Sequence, residues 1–431
     1  MTPLASSVDE LRPLTELCRM GQLFEVQEWI RQGKPIALAE DVVSRSKHHH
    51  PLLVALSSGF HSMVELLLQA GAPTSHRGNS ALAFAIEMGR PDLVKLLLKH
   101  GADASKVPMW SVIDRGCRLD VIDMLLAAGK NLVDDRPIAW GLIHCIRPTL
   151  GLLKRHVAKQ PELMRQADFA LRYHAKQGNQ KWVALTLWAG ADPLARGPDD
   201  LERDEVDGYL GMNAVELAAL YGQFEVLQQK PMLHAIEACL ADTEVFLSVC
   251  RTGNSRALEL FLQRGHSPAR LPDRGTKAIE SVVSAMALQP LFDRARYGGY
   301  DNKLPADSSG ARDRMALLHM LVANGARWMP EDKQATGHVR RSLLKLVPAF
   351  AMEFAWLMKQ YGAARRADVH ELMGAPSMRR HLSGERTSLE RILRGIPEEV
   401  PSGGTAAGEP RPTQDAGKPP EAEPLADDLA T

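Results

Sequence analysis

Pairs of glycines twelve residues apart recur along this chain, and that spacing constrains the fold more than any other feature. Gly21 and Gly33, Gly59 and Gly71, Gly89 and Gly101, Gly178 and Gly190, and Gly253 and Gly265 are each 12 apart, and Gly116 and Gly129 are 13 apart. The clearest copies read PLLVALSSGFHSMVELLLQAGA and SALAFAIEMGRPDLVKLLLKHGA. Glycine ends a helix at least cost, because it has no Cβ to oppose a left-handed backbone. Between the glycines, Val64, Leu66, Leu67 and Leu68 recur at helical spacing, as do Val94, Leu96, Leu97 and Leu98, and they predict one broad apolar face. One helical hairpin cannot bury both of its faces, so the copies are expected to stack.

Composition fits such a stack and excludes other classes. Hydrophobic residues make up 45% of the 431 residues, enough for a core through most of the chain, but aromatics are only 5%. That core must be built from Leu, Val and Ala, which suit closely packed helices. With 52 Lys+Arg against 52 Asp+Glu, no overall attraction to nucleic acid or to an anionic membrane is expected. The five cysteines (Cys18, Cys117, Cys145, Cys239 and Cys250) form no CxxC pair. Each lies in an apolar stretch and reads as a buried thiol, which argues against a disulfide framework and a thiolate zinc site. The start, MTPLASSVDELRPL, has neither the basic nor the apolar region of a secretory signal. The most apolar stretch, 343–358, is too short to span a membrane and is interrupted by Lys345, Pro348 and Glu353. A reducing cytoplasm is the expected location.

At the level of motifs the chain resembles the ankyrin repeats. The family's T-P-L-H-x-A pattern is matched in part by His50-Pro51-Leu52-Leu53-Val54-Ala55 before Gly59. It is matched more weakly by Ser80-Ala81-Leu82-Ala83-Phe84-Ala85 before Gly89, and by Val107-Pro108-Met109-Trp110 before Gly116. The exits QAGA, KHGAD, AAGK, WAGADP, QRGH and QYGA match strongly. No copy keeps the motif's Thr or His, so the capping and inter-repeat hydrogen bonds of those residues must come from elsewhere. The period is nearer 30 than 33, which implies trimmed hairpins. The resemblance implies an all-α fold: a helical-hairpin solenoid of about nine or ten pairs, with a degenerate C-terminal helical part and a disordered tail.

Gaps in the glycine pattern organise the rest of the chain. From Gly116 to Gly178 is about two periods, so an eroded copy is expected near 137–157. From Gly178 to Gly222 leaves room for the insertion ARGPDDLERDEVDGYLGM. LLHMLVANGA and FAWLMKQYGA read as further second helices. The expected division is a lead-in over 1–11, the repeat array over 12–270, degenerate repeats or a helical part over 271–396, and an acidic tail over 397–431. That tail is rich in Pro, Gly, Ala and Glu and has almost nothing apolar to bury. The stretch 297–312 reads as a Gly/Asp-rich loop.

Catalytic chemistry is hard to find. There is no GxSxG, no P-loop and no HExxH. His48-His49-His50, with His61 near, reads as a repeat-entry turn rather than a metal site, because adjacent residues project in different directions. The acidic residues of the insertion (Asp199, Asp200, Glu202, Asp204, Glu205 and Asp207) lack the alternating order of a calcium loop. Trp29, four residues before Gly33, is expected in the core. Trp188, two before Gly190, falls where other copies carry Gln69, Lys99 and Ala127, and is expected to be exposed. No enzyme activity, metal or cofactor is expected; a catalytic site in 271–398 is the minor alternative.

What the resemblance implies is a protein-binding scaffold that presents its concave face to another protein. In ankyrin-like units the two residues before the first glycine look into the groove. Carried over, they are Arg19 and Met20, Ser57 and Ser58, Glu87 and Met88, Asp114 and Arg115, Lys176 and Gln177, Leu220 and Tyr221, and Arg251 and Thr252. Charges of both signs alternate with Met, Leu and Tyr, which suits a protein surface better than a phosphate backbone. A monomer with no nucleic-acid or membrane partner is expected. A secreted effector that uses the same face to capture a host protein is the alternative, and the hairpin tips around His76, Arg77 and Lys106 are the alternative contact surface.

Overall fold

The computed structural model describes residues 4–39, 41–42, 46–76, 79–198, 211–297, 309–346 and 348–400. Most of the acidic insertion, Arg77, most of the 297–312 loop and the tail beyond 400 lie outside the described residues. The chain divides into two compact units, Met1–Val245 and Phe246–Thr431. Among the described residues the fold is all-α, an ankyrin-like stack of helical hairpins. Apart from isolated bridges, strand among the described residues is Ser75–His76 paired antiparallel with Asn79–Ser80, at the tip between two copies.

The first unit shows how the glycine spacing becomes structure. Its hairpins pair Val8–Met20 with Leu23–Arg31, Pro51–Ser58 with His61–Gln69, and Ala81–Glu87 with Pro91–Lys99. Next come Met109–Asp114 with Leu119–Ala127, Pro137–Ile143 with Pro148–His156, Met164–Gln177 with Gln180–Ala189, and Ala214–Leu220 with the short Phe224–Leu227. The fifth of these is the eroded copy. First helices pack on first helices: Met109–Asp114 lies against Pro137–Ile143, which lies against Met164–Gln177, which in turn lies against Ala214–Leu220. Second helices form their own row, as in His61–Gln69 against Pro91–Lys99 against Leu119–Ala127.

One position sets the register. The N–H of the residue that turns the chain between the two helices donates to the carbonyl three residues back. Those carbonyls belong to Cys18, Leu56, Ile86, Ile113, Leu142, Ala175 and Ala219. All seven side chains are buried. The second helices bury Val64, Leu67, Leu68, Val94, Leu96 and Leu97, whereas Leu66 and Leu98 are only half-buried at the edge of the apolar face. The turn residue has positive φ throughout the row, from Gly21 at 71° to Gly222 at 68°. In the eroded copy Cys145 takes that place at φ 62°. It is exposed rather than buried, because the turn carries its side chain out of the apolar stretch that precedes it; the other four cysteines are buried.

Polar side chains from neighbouring copies replace the missing Thr and His of the motif. Gln166 accepts from the N–H groups of Ile138 and Ala139 and donates to the Leu132 carbonyl, so it caps the helix of the copy before it while buried. Arg90 reaches back to the Gly59 carbonyl at 3.4 Å, and Arg118 to the Gly89 carbonyl at 3.3 Å. Each of these arginines also forks onto the aspartate two residues on, Asp92 and Asp120. The Arg90 guanidinium holds the Asp92 carboxyl down to about 2. Gln223 donates to the Lys176 carbonyl at 3.1 Å, and its amide fills the space that a Cβ at Gly178 would need. Arg172, buried, donates to the carbonyls of Ala195 and Pro198; Arg196 pairs with the fully buried Glu216, whose carboxylate closes a capping box with Asn213. These two arginines hold the base of the insertion.

The second unit continues the alternation with fewer glycines. Ser255–Gln263, Ser309–Ala323, Pro348–Gln360 and Arg386–Arg394 form one row, and Thr276–Tyr297, Lys333–Leu343 and Arg366–Gly374 the other. The exits at Gly325 and Gly362 keep positive φ, at 92° and 53°. Trp328, fully buried, donates its backbone N–H to the Ala363 carbonyl at 2.7 Å, and its ring meets Phe354 edge-on. With Thr243–Thr252 and Ser255–Gln263 included, eleven helical pairs are present among the described residues. That exceeds the nine or ten expected, because the last pair, Arg366–Gly374 with Arg386–Arg394, carries no glycine pair to announce it.

Candidate functional site

The two residues before each turn sit at the end of the first helix, one step past the buried register position. Their place in the helix therefore turns them outward. In the first unit Arg19, Met20, Ser57, Glu87, Met88, Asp114, Arg115, Gln177, Leu220 and Tyr221 are exposed, and Ser58 and Lys176 are half-buried. Arg251 is exposed and Thr252 half-buried in the second unit. Four of these side chains are large and apolar: Met20 is 63% exposed, Tyr221 44%, Leu220 40% and Met88 38%. Leaving that much apolar surface in water at one recurrent position brings no folding benefit.

Not every member is equally available. The Ser57 and Thr252 hydroxyls donate to carbonyls of their own helices, Val54 at 2.7 Å and Val249 at 2.8 Å. Arg19 pairs with Glu16. Lys176 lies over the Tyr221 ring at 5.3 Å, which shows that consecutive copies bring their ladder residues into contact. The eroded copy contributes two residues that the glycine pattern missed. Counting back from Cys145 gives Ile143, half-buried, and His144, exposed. His144 stacks on Trp140 at 4.1 Å, and Trp140 meets Trp110 at 5.0 Å. The signal was present in the sequence as a two-period gap between glycines, but only the hydrogen bond from the Cys145 N–H to the Leu142 carbonyl fixes which residues fill it.

The other singled-out residues resolve as follows. Trp29 is half-buried and not a core residue: its indole N–H donates to the Pro35 carbonyl at 2.9 Å, and Lys34 covers the ring at 4.7 Å. A polar handle of this kind keeps an indole at the surface. Trp188 is 65% exposed, as its register predicts, and Lys154 sits 2.8 Å from its ring centre. In the histidine run, Lys47–His49 form a single 3-10 turn, and His50 is buried with its ring 5.0 Å from that of His76. Lys106 donates to the Ser75 hydroxyl at 3.2 Å across the hairpin tip. Burial pushes the thiols of Cys18 and Cys250 up to about 12 and that of Cys239 up to about 11, so they stay protonated and unreactive at neutral pH. No helix among the described residues is long and apolar enough to cross a membrane.

Comparison with known proteins agrees with the repeat geometry. A family model described as ankyrin repeats, in three copies, matches residues 16–107. Among curated proteins, the chain is similar to the ankyrin repeat and KH domain-containing protein mask-1 of Caenorhabditis elegans. The two are 31% identical over 292 residues, which is 63% of this chain and 10% of that protein. The chain thus matches about a tenth of the length of that relative. Residues 16–107 match the ankyrin repeat family, and the helical hairpins of that stretch have the form this match implies.

Proposed function

We propose that the chain is a non-catalytic module that binds another protein along the ladder of helix-end residues in its first unit. The observation that carries this reading is the recurrence of exposed apolar side chains, Met20, Met88, Leu220 and Tyr221, one or two residues past a position that is buried in every copy. Interface cores are enriched in aromatic residues, Met and Arg, and the ladder offers these types beside Glu87, Asp114 and Lys176. Charges of mixed sign favour a protein partner over a nucleic acid. The five cysteines are all unpaired, as suits a reducing compartment, and we propose that location for the module.

Alanine substitutions at Met88, Arg115 and Tyr221 test the reading on a partner captured with the full chain and then titrated in purified form. The expected loss is more than about tenfold in affinity for the three combined, with an unchanged thermal melt, since interface anchors cost about 1 kcal/mol or more each. Unchanged affinity in the triple variant moves the contact to the hairpin tips near His76 and Lys106.

A further inference from the structure

One helical turn before the ladder residue Asp114 lies Trp110, an exposed ring over which no cation of a described residue lies. Trp29, Trp188 and Tyr221 are each covered by a lysine of the chain itself: Lys34 at 4.7 Å, Lys154 at 2.8 Å and Lys176 at 5.3 Å. Trp110 is 37% exposed, and no cation lies over its ring among the described residues. Packing holds that ring in place. Trp110 leans on Trp140 at 5.0 Å with the planes 45° apart, and Trp140 stacks on His144, whose Nδ1 is 2.9 Å from the Trp140 carbonyl.

One helical turn on from Trp110, on the same face of Met109–Asp114, stands Asp114. It is exposed, and it makes no hydrogen bond or ion pair with any described residue. Its neighbours in the fold behave differently: Asp92 and Asp120 are both forked by arginines. Arg115 is five positions from Trp110 and so leaves the helix on another side. A partly exposed indole with an unpaired carboxylate four residues on along the same helix is complementary to a flat cation that can stack and fork at once. A guanidinium does both; an ammonium is a point charge that holds its water more strongly.

We propose that Trp110 and Asp114 form a receptor for an arginine side chain on the partner protein, with the guanidinium stacked on the indole and hydrogen-bonded to the carboxylate. This inference rests on the protein-binding reading above and adds the chemistry of the partner. The partner then presents an exposed arginine to the fourth copy, while Met88 and Tyr221 take apolar contacts on either side of it along the chain.

The test uses the full chain with 15N-labelled indoles, titrated with N-acetyl-arginine amide or with the neutral isostere N-acetyl-citrulline amide. The Trp110 resonance is assigned by its loss in Trp110→Phe. A saturable shift of that resonance at tens of millimolar is expected with the arginine amide only. Asp114→Asn, an exposed change, is expected to weaken it about three- to tenfold. An equal response to both amides, no response to either, or an unchanged response in Asp114→Asn overturns the proposal. If it fails while the Met88, Arg115 and Tyr221 variants still weaken the captured partner, the arginine receptor alone is lost. If those variants have no effect either, the ladder reading falls with it.

Discussion

The turn between the two helices of a copy demands a left-handed residue, and the chain answers with glycine in every copy of the first unit but one. At Gly178 a side chain would collide with the Gln223 amide as well as oppose the backbone. At Cys145 the same φ is held by a residue with a Cβ, at 62°. A non-glycine residue there costs about 1–2 kcal/mol, partly offset by the greater freedom that glycine loses on folding. Cys145→Gly is therefore expected to stabilise the chain by about 0.5–1 kcal/mol, read as a higher urea midpoint. A lower midpoint would mean that the exposed thiol makes a contact worth more than the strain. The same residue explains an error of reading. An apolar stretch around a cysteine predicts burial, but a turn reverses the direction of the side chain, and the turn was masked by the absence of glycine. Trp29 fails for a related reason: spacing places it on the apolar face, whereas its N–H and the Lys34 ammonium hold it at the rim.

At the scale of the helix, the copies are held by side chains that cross from one hairpin to the next, and these were the least legible part of the sequence. Periodicity identifies Leu67 and Leu97 as core residues without reference to anything distant. Nothing in the local sequence around Gln166, Arg90 or Gln223 says that each serves a helix about 25–50 residues away. His174 is the sharpest case. It is 2% exposed in the last turn of Met164–Gln177, and its Nε2–H donates to the Leu142 carbonyl at 3.0 Å. Burial lowers its pKa below the ordinary histidine value, with the carbonyl bond opposing that shift only in part. Below about pH 6.5 the unfolded chain takes up a proton that the folded helix resists, so stability falls as the pH drops from about 7 toward 5. His174→Gln keeps a donor near the carbonyl and cannot charge. Its urea midpoint is expected to fall less than that of the parent chain between those two pH values. Equal falls would place the titration elsewhere, with His156, whose pKa is also lowered by burial, the next group to examine.

Over the whole molecule, the glycine spacing made the all-α repeat fold legible, together with the eroded copy near 137–157 and the exits at Gly325 and Gly362. The ladder was legible only as far as glycine marks the turn; Ile143 and His144 needed the backbone hydrogen bond that identifies Cys145 as its substitute. The Trp110–Trp140–His144 stack was invisible because its members lie in adjacent copies at different register positions, and rings that meet across copies leave no period in the sequence. The central claim is that these helix ends, and not the second-helix row or the hairpin tips, receive a protein. Hydrogen exchange by mass spectrometry, on the full chain alone and with its captured partner, addresses that claim directly. Slower exchange is predicted in peptides spanning 19–22, 87–90, 114–117, 143–146, 176–179 and 220–223, with the second helices His61–Gln69, Pro91–Lys99 and Leu119–Ala127 unchanged. Protection confined to those second helices, or to the tips at 73–76 and 103–108, would contradict it.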